Sequence, residues 1–149
     1  MRIYLDNCCY NRPYDDLNQL IVSLEAQAKL YIQQQIHNGK YELVTSEILT
    51  MEIDDSPFSI RRKGIMDFIK ENSSIHVGPK NNERIDILAR EIMKTGIKYK
   101  DACHVASAIF AGCQYLITTD KRLLKYQGND IKLVDPIQFI NETEDNDNV

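Results

Sequence analysis

No run of apolar residues in this 149-residue chain approaches the ~20 needed to cross a bilayer, which excludes a membrane-spanning helix. The basic-then-apolar pattern of a secretory signal is missing as well, because Asp6 interrupts the first strand-like stretch, and a cytoplasmic location is the expectation. The four cysteines, Cys8, Cys9, Cys103 and Cys113, contain no C-x-x-C pair. A zinc site from Cys8, Cys9, Cys103 and His104 would be strained by the adjacency of the first two, so reduced, buried or half-buried thiols are expected. A basic excess is lacking too. Four of the 22 acids lie in residues 142–149, which leaves 18 acids against 18 bases in residues 1–141. A neutral body argues against indiscriminate nucleic-acid binding, which needs a basic surface, although a local basic rim remains open. Repeats, low-complexity stretches and internal linkers are absent, so residues 1–141 read as one domain and 142–149 as an acidic, disordered tail.

What is present suits a globular protein. A hydrophobic fraction of 43% and a charged fraction of 27% are ordinary for one. A chain of this length buries roughly two thirds of its unfolded surface.

Short apolar strands alternate with helical periods throughout. "RIYL" is the first strand. A long helix follows with Leu17, Leu20, Ile21, Leu24, Ala28, Tyr31, Ile32 and Ile36 on one face, Asp15 or Asp16 at its start and Gly39 as its stop. "YELVTS" is a second strand and "EILTMEI" a short helix. Ser56 and Pro57 should open another helix, as cap and first helical residue, running to about Lys70. "SIHVG" is the third strand. Ile85, Leu88, Ala89, Ile92 and Met93 mark a helix with an Asn cap and a stop at Gly96. Ala102, Val105, Ala106, Ile109 and Phe110 mark the next, which ends at Gly112. "QYLITT" is the fourth strand, "KRLLKY" a short helix and "DIKLVD" the fifth strand, and Pro136 starts a last helical turn through Ile140. Such alternation predicts a parallel sheet covered by helices on both faces.

In open α/β sheets, ligands bind beyond the carboxyl ends of the strands. Asp6 directly follows the first strand, Glu47 and Glu52 lie just past the second, Asp120 follows the fourth, and Asp101 begins the helix that leads into it. Singly each is an ordinary turn or capping residue. Jointly they bring four acids to one edge. Two unit charges ~4 Å apart repel by about 4 kcal/mol at an effective dielectric near 20, so such a group takes up protons or holds a cation. Oxygen ligands select Mg²⁺ or Mn²⁺, and the matching chemistry is phosphodiester hydrolysis.

"IYLDN", the S-x5-E spacing from Ser46 to Glu52, "KDACHVASA" and "LITTDKRL" resemble the four acidic motifs of PIN-domain nucleases, over residues 1 to about 140. The resemblance implies a three-layer α/β/α domain with a five-stranded parallel sheet of order 3-2-1-4-5. It implies a Mg²⁺- or Mn²⁺-dependent endoribonuclease with Asp6, Glu52, Asp101 and Asp120 as the acidic set. Asp6 and Asp101 would be direct metal ligands, Glu52 and Asp120 would hold a second ion or orient water, and Thr118 would support the site by hydrogen bonding. Many bacterial members similar to this chain are toxins that cleave RNA, are silenced by a cognate antitoxin protein, and pair as homodimers. One departure stands out: "DNCCYNRP" follows the first strand where the family usually passes through a small polar residue into a helix, which looks like the mark of a bacterial subgroup.

Beside that site, Asn7 can bind a metal-held water, Arg12 can contact a phosphate, and Tyr10 or Tyr14 can stack on an unpaired base. Lys98, Lys100, Lys121, Arg122 and Lys125 can guide RNA phosphates inward. Glu47 competes with Glu52 on reach, whereas motif spacing favours Glu52. His104, three residues after Asp101, reads as a buried, hydrogen-bonded histidine. The alternative function is a catalytically silent PIN-like module that binds RNA or protein. A phosphatase of the DxD type is opposed by Asp6-Asn7-Cys8, and a phosphotransfer receiver fits no better.

Overall fold

The computed structural model describes residues 1–11 and 19–144. Arg12, Tyr14, the Asp15 or Asp16 cap, Leu17 and residues 145–149 lie outside the described residues. Five strands, β1 (Arg2–Leu5), β2 (Glu42–Ser46), β3 (Ser73–Val77), β4 (Tyr115–Ile117) and β5 (Lys132–Val134), form one parallel sheet of order β3-β2-β1-β4-β5. The order and the all-parallel pairing are those the sequence implied. Strand β1 lies in the centre, with Tyr4 opposite Val44 on one side and Leu116 on the other. Seven helices flank the sheet among the described residues: α1 (Asn7–Asn11), α2 (Leu20–His37), α3 (Glu47–Asp54), α4 (Ser59–Asn72), α5 (Asn82–Met93), α6 (Tyr99–Phe110) and α7 (Pro136–Glu144).

Helix α6 is buried on every side from residue 102 to 108, lying against the sheet and helices α3 and α5. Its alanines make that close approach feasible, since larger side chains would hold the backbones apart. The helix ends as expected at Gly112, whose φ of 77° is a left-handed conformation that costs glycine little.

Several local expectations are corrected. Helix α2 turns Val22, Ala26, Ala28, Lys29, Ile32 and Ile36 inward, while Leu20, Ile21, Leu24 and Tyr31 face solvent. The helix is apolar on two faces, and the one carrying Lys29 is the buried one. Helix α4 starts at Ser59 rather than Pro57. The Ser56 hydroxyl accepts from the Phe58 N–H in a turn instead of capping. "KRLLKY" forms only a 3-10 turn, Leu123–Lys125. Tyr10 is buried with its ring edge-on to Phe68, so it is not free to stack on a base. The "CCYN" that seemed to delay a helix is itself helix α1.

The carboxyl end also differs from the expected loose tail. Helix α7 continues to Glu144, and two of its acids are fastened to the body. Glu142 accepts from Tyr115 and pairs with Lys132, and Glu144 accepts from Lys40, Tyr31 and Tyr41. Residues 142–144 therefore belong to the domain.

Candidate metal centre

Asp6 leaves the end of β1, where its own N–H still donates to Ile117 O and extends the ladder by one residue. Its carboxylate is held from three sides. Oδ1 accepts from the Asn7 N–H at 2.8 Å, and Oδ2 accepts from Thr118 Oγ1 at 2.8 Å and from the Cys8 thiol at 3.4 Å. Thr118 also accepts from the Asp120 N–H at 3.1 Å, so one hydroxyl fixes both the first and the last acid. Asn7 serves here through its backbone.

Glu52 reaches the site from the second turn of α3, the helix that Ser46 caps by accepting from the Leu49 N–H at 3.2 Å. The same hydroxyl begins a chain of donors through the sheet. Ser46 Oγ lies 2.6 Å from Tyr4 Oη, Tyr4 Oη 2.6 Å from Nδ1 of His104, and Nε2 2.8 Å from Glu52 Oε1. With a neutral imidazole protonated at Nε2, Ser46 donates to Tyr4, Tyr4 to His104 and His104 to Glu52, so each donor meets one acceptor. Burial keeps the Tyr4 phenol protonated. For His104, burial pulls the pKa down, but the hydrogen bond to Glu52 and the charges of Asp6, Glu52 and Asp101 together outweigh it and raise the pKa. Ser46→Ala should therefore cost about 1–2 kcal/mol, from a lost cap and a lost buried partner. Thermal denaturation should show a fall of roughly 3–6 °C for a domain of this size.

Ligand atoms of Asp6, Glu52 and His104 lie within 4.8 Å of one another. Asp101 stands beside them in the first turn of α6. Its carboxylate is not spent on capping, because the cap position is Lys98. Burial raises its pKa, and the charges of Asp6, Asp120 and Glu52 raise it further. Of the four acids expected from sequence, Asp6 and Glu52 thus share a cluster with His104, and Asp101 feels the charges of Asp6, Asp120 and Glu52. Asp120 is half-buried, and its Oδ1 accepts from the Arg122 N–H at 2.9 Å, so it also shapes the turn after β4.

Glu47, the competitor of Glu52, lies elsewhere. It lines a separate cavity of about 450 Å³ with Met51, Ile85, Tyr99 and Cys103. Cys103 belongs to that cavity as well, so the cysteine set considered for zinc does not assemble; all four thiols are free. Lys98, Arg122 and Lys125 gather beside Asp101, whereas Lys100 and Lys121 are exposed outside that group. Tyr4 escaped the sequence reading. A tyrosine between Ile3 and Leu5 in a doubly covered strand reads as core, and the only signal was its even spacing from Asp6. The Cys8 thiol was also missed as a neighbour of the acids. Hydrogen bonding from Cys9, Thr118 and Thr119, opposed by burial and by Asp6, brings its pKa down to about 7.

No family model matches the chain, and no curated protein matches it significantly. Solved structures do. VapBC2 from Rickettsia felis, bound to a DNA fragment from their promoter, matches with a TM-score of 0.58 at 13% identity, over 89% of this chain and 97% of that one. FitAcB from Neisseria gonorrhoeae matches with a TM-score of 0.54 at 14% identity, over 91% and 98% of the two chains. FitAB bound to an IR36 DNA fragment gives 0.59 at 15% identity, over 90% and 94%. The likeness covers about nine-tenths of the chain, and the fold is PIN-like.

Proposed function

We propose that the chain is a metal-dependent endoribonuclease. The observation that supports this reading is the cluster of Asp6, Glu52 and His104, together with the charges of Asp6, Asp120 and Glu52 that act on the half-buried Asp101. Their donor chemistry fits a divalent cation. Carboxylate oxygens dominate, the charges repel in its absence, and the polar hydrogens of Thr118 and His104 fix the acids from behind. Asp6 and Asp101 would be the direct ligands, with Glu52 and Asp120 completing the site for Mg²⁺ or Mn²⁺. When bound, the cation polarises the phosphodiester and lowers the pKa of an attacking water. The protein's own part is positional. Thr118 sets Asp6 and the Asp120 backbone, and His104 sets Glu52. His104 holds its Nε2 proton toward Glu52, so the imidazole serves as a positioning residue and oxygens remain the donors.

The purified protein should cut single-stranded RNA with Mg²⁺ or Mn²⁺, stop with EDTA, and lose the cut in Asp6→Asn while keeping its circular dichroism spectrum. Equal cleavage by Asp6→Asn would end the reading. Tight RNA or protein binding without cleavage, indifferent to EDTA, would favour a silent binding module. Thr118→Val should weaken Mn²⁺ affinity by about 10–100-fold, the usual cost of losing an outer hydrogen-bond partner, as read by isothermal titration.

The biological role we infer is that of a toxin whose partner is an antitoxin protein. The fold shared with VapBC2 and FitAB supports it. A homodimer is proposed with it. Leu24 and Tyr31 of α2 with Ile137 and Ile140 of α7 leave an open apolar groove that a second copy would cover. Light scattering of the purified chain tests that pairing.

A further inference from the structure

A cavity of about 460 Å³, within the range of small-ligand sites, adjoins the acids and shares Asp101 with them. Two chain segments form it: the loop that joins α5 to α6, and the turn that follows Asp120. Its contents are sorted by chemistry. Lys98, Arg122 and Lys125 bring positive charge, Ile97 and Tyr126 bring apolar wall, and Asp101 is the point where it meets the acids. Arg122 leans toward Asp120, its Nε 3.6 Å from Oδ1, while exposed Lys98 and Lys125 put further positive charge at the rim, where it can draw an anion toward the acids.

Tyr126 also packs closely on its own loop. A Cβ at position 128 would stand 2.4 Å from Tyr126 Oη, 2.7 Å from Cζ and 2.9 Å from Cε1. The ring therefore folds back over the Gly128 backbone, at a closeness only glycine allows, and is half-buried there.

We propose that this cavity is a nucleotide subsite for single-stranded RNA. It would hold the residue next to the scissile bond, with that nucleotide's phosphate on Lys98, Arg122 and Lys125 and its base against the Tyr126 ring. The inference rests on the ribonuclease reading for what happens at the acids, but not for binding. Bases have a π-face whatever their identity, so Tyr126 gives affinity without a sequence code. Paired bases are not available to stack, so the subsite selects unpaired RNA. Local charge of this kind also lets a chain with a neutral body hold a polyanion at one place only.

The test uses the full chain in EDTA, where no cation supports cleavage, and a fluorescein-labelled single-stranded RNA hexamer read by anisotropy. Tyr126→Ala and Gly128→Ala should each weaken binding by about 5–100-fold, the range for loss of one base stack. The glycine variant acts by pushing the ring out of place and touches neither the acids nor the lysines. Lys98→Ala combined with Lys125→Ala should weaken binding at least as much, whereas Lys63→Ala on α4 should not. A hairpin duplex of the same sequence should bind weakly to every form. Unchanged hexamer affinity in Tyr126→Ala, Gly128→Ala and the double lysine variant overturns the subsite, as does an equal loss in Lys63→Ala. The two readings fail separately. Loss of binding in these variants from a protein that never cuts RNA would uphold the subsite and overturn the nuclease. Metal-dependent cutting with an unaltered KM in all three variants would do the reverse.

Discussion

Asp101→Asn is expected to abolish RNA cleavage and, at the same time, to make the metal-free protein harder to melt. The two effects have one cause. Burial, and then the charges of Asp6, Asp120 and Glu52, raise the pKa of Asp101 from its ordinary value. In the unfolded chain it returns to that value. Between the ordinary value and the raised one, the folded state therefore binds more protons than the unfolded state, and stability falls as pH rises through that window. Above it the penalty is fully present at neutral pH, and asparagine removes it. Activity should fall by roughly two to four orders of magnitude, as for loss of a group that acts directly on the reacting atoms. Differential scanning fluorimetry gives the second half of the result. At a cation concentration a hundred times the Kd, Mn²⁺ should stabilise the wild type by about 2.7 kcal/mol, or roughly 8 °C for a domain of this size. The variant should start higher in EDTA and gain much less. A lower melting temperature for Asp101→Asn in EDTA would show that the carboxylate is a structural partner, not a strained ligand.

His104→Phe should have the largest effect on stability. The ring fills a similar volume, but it takes one hydrogen-bond partner from the Tyr4 hydroxyl, which keeps only Ser46, and it frees Glu52. A neutral hydrogen bond contributes about 0.5–1.5 kcal/mol and one to a charged group about 1.5–3, so a loss of about 2–4 kcal/mol is expected in urea unfolding. The pH dependence distinguishes this from simple misfit. The histidine's pKa is raised in the folded state, so the stability it adds is complete below the ordinary imidazole pKa and disappears as pH rises through the raised value. The phenylalanine variant should lack that component, and its deficit should therefore be widest at mildly acidic pH. A deficit independent of pH would mean that packing alone is at stake.

The sheet and its edge were legible in the sequence because parallel strands buried on both faces read as short apolar runs, and Asp6 and Asp120 interrupt them at their ends. Helix α6 was legible for its alanine stripe and its glycine stop. Other elements were not, for identifiable reasons. Helix α2 carries apolar residues on two faces, and nothing in a periodicity marks Lys29 as the buried one. Its amine donates to Cys8 O, on a helix twenty-one residues earlier, and that partner is set by tertiary structure alone. Phe58 and the proline before it displaced the start of α4 by two residues, since the serine bonded within the turn. Helix α7 looked short because its last acids resemble a solvated tail, and only the lysines and tyrosines that meet them make it a helix. Within the site, the acids were visible one by one, but the donors that fix them were not. Tyr4, Ser46 and His104 come from three elements, and their hydroxyls and ring connect only when the strands pair.

That wiring bears on how the chain behaves while it is being made. Thr118 grips Asp6 across 112 positions, and the central strand cannot gain β4 as a neighbour until that stretch has emerged from the ribosome. At about 5–20 residues per second, the 112 positions between them take roughly 6–22 s to make, and Asp6 lacks its Thr118 donor throughout that time. The acid edge of the sheet therefore cannot take its final shape before residues 115–120 have emerged and β4 has paired with β1.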